Sequence, residues 1–365
     1  MVNRPKAVIF GCAGTELLPT ERAFFERCQP LGFILFARNC KSPDQVRKLV
    51  QDLRGTVSHS DVPILIDQEG GRVVRLTPPI WRAVPSASAF GQLAYEKPDV
   101  AIEAVFNNAV LIGNELQDLG INVDCAPCVD LLISGSDPII GDRAFTDHPE
   151  TVAELSLAMI EGLQNQNVIP VIKHLPGHGR APVDSHKELP IITTPAQELV
   201  ENDFLAFLLL CENIKARSLP QPWGMTAHVV YQDFDDQETA THSSYIIDHI
   251  IRNQIGFEGF LISDCLTMEA LEGLFSIRAQ KALKSGCDAV LHCSGHLDEM
   301  IEVAGVTPPL TTLAWKRLES SKLPGYATKP LTKEELSTLQ LSIEAALENS
   351  DQSPNPSAES KKLYA

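Results

Sequence analysis

Eight short apolar runs, each followed by a longer and more polar stretch, limit this chain to very few folds. They cover residues 7–11, 32–36, 62–67, 121–126, 168–173, 223–228, 259–264 and 287–292. Apolarity within them is nearly continuous rather than alternating, the pattern of parallel strands buried on both faces. Helical patterns fill the gaps at 42–53, 101–119, 150–163, 196–211, 243–255 and 277–285. The first opens on Ser42-Pro43, an N-cap residue followed by proline at the first helical position. Eight strand-then-helix units predict an α/β (β/α)8 barrel of the TIM type, in one domain over residues 1–350 that ends in C-terminal helices, with a polar, Pro- and Ser-rich tail over 351–365 read as disordered. An open doubly wound sheet is the rival, but no GxGxxG follows the first run.

In such a barrel, chemistry gathers at the carboxyl ends of the strands. Six of the runs end at or beside ionisable residues: Asp67, Asp124, Lys173 with His174, His228, Asp264 and His292. Core strands otherwise avoid such groups, because an unpaired buried charge is strongly destabilising. Their recurrence at one end marks a site.

The richest segment is Lys173-His174-Leu175-Pro176-Gly177-His178-Gly179-Arg180-Ala181, continuing to Asp184-Ser185-His186. Asp184 and His186 are two residues apart, so the carboxylate can orient the imidazole and stabilise its charge, giving a proton carrier near neutral pH. A metal loop or a hydrogen-bonded surface loop is the alternative, although these histidines lack the usual zinc-ligand spacings. Asp264 is placed to attack an electrophilic carbon, or else to cap a following helix. Asp67 and Arg75 fit a polyol site, with a many-lone-pair acceptor and a forked donor. Glu69 and Arg72 read as a structural pair around the Gly70-Gly71 turn. Arg143 follows the fourth run and can be a ligand or a solvated partner of Asp142 or Asp147.

The formal net charge of −17 argues against nucleic acid or an anionic membrane as partner. No run is long enough to span a membrane, and the apolar stretch 7–10 is too short for a secretory signal. The nine scattered cysteines read as buried thiols of a reducing compartment, which points to the cytoplasm.

Together the stretches DQEGGRVVRL, GDRAF, KHLPGHG with DSH, MTAHVVY and GFEGFLISDCLTMEAL resemble glycoside hydrolase family 3. They are most similar to its bacterial β-N-acetylhexosaminidases of cell-wall recycling, and the resemblance covers roughly residues 5–305. It implies retaining hydrolysis through a covalent glycosyl-enzyme, with Asp264 as nucleophile and His186, partnered by Asp184, as acid/base in place of a second carboxylate. It assigns sugar contacts to Asp67, Arg75, Arg143, Lys173 and His174, a small saccharide or muropeptide as partner, and neither metal nor cofactor. A β-N-acetylglucosaminide phosphorylase, a catalytically silent sugar-binding barrel and a β-glucosidase are the competing readings, with Arg180 favouring entry of an anion. Two departures stand out. Arg180-Ala181 replace the usual Asp-Thr after GHG, which bears on the loop's conformation. Cys265 replaces the usual second acid, which removes a negative neighbour and should lower the nucleophile's pKa.

Overall fold

The computed structural model describes residues 4–323 and 331–348; the tail expected over 351–365 lies outside them. All eight apolar runs supply strands of one closed parallel barrel. These are β1 (Lys6–Phe10), β2 (Pro30–Leu35), β3 (Ile64–Ile66), β4 (Val123–Asp124), β5 (Ile169–Leu175), β6 (Trp223–Thr226), β7 (Leu261–Cys265) and β8 (Ala289–His292). Closure joins β1 to β8, with Val8 opposite Val290 and Phe10 opposite His292.

The continuous apolarity has a direct cause. Successive side chains on a strand point to opposite faces, and here both faces are dry. Ile9, Leu65, Val123, Val171, Trp223, Met225, Ile262 and Leu291 fill the barrel interior. Val8, Phe10, Phe33, Leu35, Ile64, Ile66 and Ile172 instead pack outward against the helices. The lower mouth is plugged by Leu310 and Ala314, the latter on the helix Thr312–Ser320. Trp223 lies there against Phe260, ring centroids 4.8 Å apart, and its indole N–H donates to Ser321 Oγ at 2.8 Å.

The first expected helix forms as Pro43–Arg54, with Ser42 Oγ accepting from Gln45 N. The expected helix over 196–211 is two, Ala196–Glu201 and Asp203–Ala216, separated by a non-helical Asn202. Asn and Asp side chains compete for backbone partners; Asn202 Nδ2 donates to the Glu198 carbonyl, while the buried Asp203 carboxylate turns to Arg180. The segment expected over 243–255 winds as a π-helix over Ile246–Gln254, burying Ile246, Ile247, Ile250 and Ile251. Helices Leu297–Val306, Thr312–Ser320 and Lys333–Leu347 follow the last strand as expected, whereas Pro19–Cys28 and Ala87–Glu96 have no counterpart in the sequence reading. Among the described residues no helix is long and apolar enough to cross a membrane.

Candidate active site

The inward rows of side chains change character at the upper mouth. One step of two beyond apolar Leu65, Val171, Ile262 and Leu291 stand Asp67, Lys173, Asp264 and Cys293, and all four line one cleft of about 230 Å³. That is below the usual range for drug-sized ligands, about 300–1,000 Å³, and suits a single small ring. Its wall also includes Phe36, Glu69, Arg75, Arg143, His174, His186, Met225 and Met268.

The floor is a chain of alternating charges. Arg75 Nη2 donates to Asp67 Oδ2 at 3.0 Å, and Lys173 Nζ donates to Asp67 Oδ1 at 2.8 Å and to Glu69 Oε1 at 2.5 Å. Glu69 is then gripped by both arms of Arg143, each at 2.9 Å. Burial works against ionisation of Asp67 and Glu69. The facing cations outweigh it, Lys173 and Arg75 for Asp67 and Arg143 and Lys173 for Glu69, and both carboxyls lie well below the usual range. Burial likewise opposes the Lys173 ammonium, but Asp67 and Glu69 hold its pKa above the ordinary value. The result is a fixed, fully ionised set of donors and acceptors suited to hydroxyl groups.

Two sequence readings are corrected here. Glu69 and Arg72 do not pair with each other: Glu69 belongs to the cleft, and Arg72 binds Asp142 at 2.6 Å and the carbonyls of Pro138, Ile139 and Ile140. Arg143 is buried on Glu69 rather than solvated beside Asp142 or Asp147.

Asp130, missed by the sequence reading, orients His174. It accepts from the backbone N–H of His178 at 2.6 Å and meets His174 Nδ1 at 2.6 Å. His174 Nε2 in turn faces Arg143 Nη2 at 3.4 Å. Cys128, Asp130 and His174 are the one trio among the described residues whose atoms could converge on a metal ion, within 4.8 Å of one another. They are committed to each other, with the Cys128 thiol donating to Asp130 at 3.2 Å. The only signal for Asp130 was its place six residues beyond the fourth run's own carboxylate, Asp124.

The long loop after β5 brings the remaining dyad over the cleft. Gly177, at φ 146°, opens it in a conformation glycine alone adopts readily. Gly179 lies so close to the Leu131 carbonyl that a Cβ would approach it to 2.3 Å. Tyr231 Oη donates to the Gly177 carbonyl at 2.6 Å, and Ile191–Ile192 pairs in parallel with Val230–Tyr231, tying down both ends. Ala270 N, just beyond β7, donates to the Ser185 carbonyl. Arg180 does not enter the cleft; it binds Asp203 at 2.6 Å and Glu198 at 2.8 Å, so it latches the loop rather than offering an anion site.

His186 Nδ1 meets Asp184 Oδ1 at 2.9 Å, and the same oxygen accepts the His186 backbone N–H at 2.9 Å. Burial disfavours the imidazolium, but the Asp184 hydrogen bond and the charges of Asp264 and Asp184 raise the His186 pKa above its ordinary value. Burial also opposes Asp264 ionisation. The neighbouring His228, His174 and His186, with the Cys265 N–H donating to Oδ1 at 2.7 Å, nonetheless hold its carboxyl below the usual range. Asp264 caps no helix, since the next one begins only at Phe275. One group held ionised and one held protonable therefore face a common cleft, the division of labour that acid/base-assisted nucleophilic displacement requires. The three loop histidines do not gather as metal ligands: His174 turns to Asp130, His178 to Ser185 Oγ at 3.1 Å and His186 to Asp184.

Comparison with known proteins agrees with this geometry. The glycosyl hydrolase family 3 N terminal domain matches residues 20–317. A beta-hexosaminidase of Bordetella avium is 33% identical over 309 residues, covering 84% of this chain and 86% of that protein. One of Methylococcus capsulatus is 36% identical over 291 residues, 78% of this chain and 82% of its own. In structure, NagZ from Neisseria gonorrhoeae in complex with N-trifluoroacetyl-D-glucosamine superimposes with a TM-score of 0.80 at 28% identity, covering 96% of this chain and 99% of that one. With its closed barrel and polar upper mouth, the chain belongs to glycoside hydrolase family 3 and is a glycoside hydrolase.

Proposed function

We propose that the chain is a retaining exo-β-N-acetylglucosaminidase, releasing terminal β-1,4-linked N-acetylglucosamine from muropeptide or peptidoglycan fragments. The observation carrying this reading is the approach of Asp264 and the His186–Asp184 pair to one cleft of monosaccharide size. The relatives named beta-hexosaminidase, and the neighbour that binds an N-acylated glucosamine, support the amino sugar. The free state of all nine thiols supports a reducing, cytoplasmic setting.

In this reading Asp67, Arg75, Arg143, Lys173 and His174 hold the sugar hydroxyls and acyl group. Phe36, Met225 and Met268 give its apolar faces a dry wall. Asp264 attacks the anomeric carbon while His186, protonated on Nε2 and steadied through Nδ1 by Asp184, gives its proton to the leaving oxygen. The same imidazole then takes a proton from water, which displaces Asp264 and frees the sugar with retention.

Asp264→Ala should abolish turnover of a chromogenic β-N-acetylglucosaminide while the protein stays folded, and a 2-fluoro sugar should leave its adduct on the peptide bearing Asp264. Near-normal turnover or an adduct elsewhere refutes the nucleophile assignment. The phosphorylase reading requires turnover that depends on phosphate and a sugar 1-phosphate product. Tight binding without turnover would instead identify a silent sugar-binding barrel.

A further inference from the structure

The mechanism above gives the Cys265 thiol, next to Asp264, no task. Cys265 ends β7 in register with Leu291 on β8, and Cys293 lies two residues beyond Leu291 on the same inward row. Both cysteines line the cleft, and they are the only two of the nine that do. Each thiol shifts the other's pKa, that of Cys265 downward and that of Cys293 upward. Thr267 Oγ1 is 2.9 Å from the Cys265 sulfur. The two thiols and the Thr267 hydroxyl thus meet at the cleft wall, next to Asp264. A cleft-lining thiol whose pKa is lowered, beside a second thiol, is the arrangement of a nucleophilic cysteine and its resolving partner.

We propose that Cys265 and Cys293 form a dithiol modification site in the cleft, taking small-molecule disulfides as its ligand class and becoming an intramolecular disulfide beside the nucleophile. The chemistry balances by thiol–disulfide exchange. The Cys265 thiolate attacks one sulfur of the small disulfide, forming a mixed disulfide and releasing one thiolate, which takes up the proton Cys265 gave up. Cys293 then loses its proton and attacks the Cys265 sulfur, expelling the second small thiol. Two protein thiols are oxidised and one disulfide is reduced to two thiols. The Cys293 thiol is itself held far above the ordinary thiol pKa, burial being the largest cause and the neighbouring Cys265 the next, so it stays protonated until the first exchange removes that neighbour's charge. The new bond would draw the ends of β7 and β8 together and displace Asp264.

The test treats the full-length protein with hydroxyethyl disulfide and maps the products by mass spectrometry after alkylation. The expected result is a cross-link between the Cys265 and Cys293 peptides, loss of turnover, and recovery of both on adding dithiothreitol. Cys293→Ser should accumulate a stable hydroxyethyl adduct on Cys265, and Cys265→Ser should gain no modification at Cys293; each variant is compared only with its own untreated form. A wild-type protein that stays unmodified, carries only a persistent Cys265 adduct, or cross-links without loss of turnover overturns the proposal. Mapping on the wild type needs no variant to fold and no particular substrate.

Discussion

Replacing Asp184 with Asn keeps the shape of the side chain but removes the charge that orients and holds the proton on His186. Asp184 is only 7% exposed, and one of its oxygens accepts from both the His186 ring and its backbone N–H, at 2.9 Å each. A hydrogen bond of this charge-assisted kind contributes about 1.5–3 kcal/mol. The imidazole side chain is 37% exposed, so solvent screens part of that and the lower half of the range applies. Read as lost transition-state stabilisation, this predicts a fall in kcat of roughly 13- to 45-fold. The direction with pH follows as well. Asp184 is the largest influence raising the His186 pKa, so without it the protonated acid persists over a narrower range. The alkaline limb of kcat/KM should then shift to lower pH. Steady-state profiles on two aryl N-acetylglucosaminides test this, and the loss should be greater for the poorer leaving group. An alkaline limb that stays in place, or equal losses on both substrates, would refute the role given to the pair.

Glu69→Gln should raise KM roughly tenfold or more with little change in kcat, since it releases Arg143 and Lys173 together; an unchanged KM would return Glu69 to a turn residue. Gly91→Ala should lower Tm, at a cost of about 1–3 kcal/mol, and also raise KM. Its Cβ would come within 1.6 Å of the Phe145 carbonyl oxygen, two residues from Arg143. Wild-type thermal stability would mean that the loop yields freely. Asp124 is buried, with one oxygen accepting from Gln68 N and the other unpartnered, and burial pushes its carboxyl up to about 7. Because the folded pKa exceeds the unfolded one, its ionisation destabilises the protein progressively as pH rises from the ordinary carboxyl range toward 7. Asp124→Asn should therefore raise Tm at pH 8 and change it little at pH 4. Calorimetry at the two pH values checks this, and an equal effect at both would contradict it.

The barrel was legible because its strands are dry on both faces. Continuous apolar runs need no partner information to be seen, and the ionisable residues at their ends marked the upper mouth before any contact was known. Asp184 and His186 were legible as a pair because they are local in sequence. Glu69 was not. Its partners Arg143 and Lys173 lie 74 and 104 positions away, and beside a Gly-Gly turn a local pairing with Arg72 was the simpler reading. Asp130 escaped for the same reason, since its role exists only through His174, 44 positions on. The helix Ala87–Glu96 carries no acid in its first turn and no base in its last, and the break at Asn202 depends on Arg180 drawing Asp203 inward. Such features are set by distant partners, so periodicity cannot report them.

The plug at the lower mouth bears on how the chain reaches this structure. Lys6 Nζ donates to the carbonyls of Ala304 and Thr307, and Leu310 N donates to the carbonyl of Pro5. The first strand is thus finished by chain made some 298 residues later. During synthesis β1 and its neighbours must wait with an open edge until β8 and the helix behind it leave the ribosome. Such distant pairing is slow and exposes strand edges to aggregation. Truncation ahead of Leu297 would remove these partners of the first strand, and the nascent barrel would depend on chaperones for longest in its oldest segment.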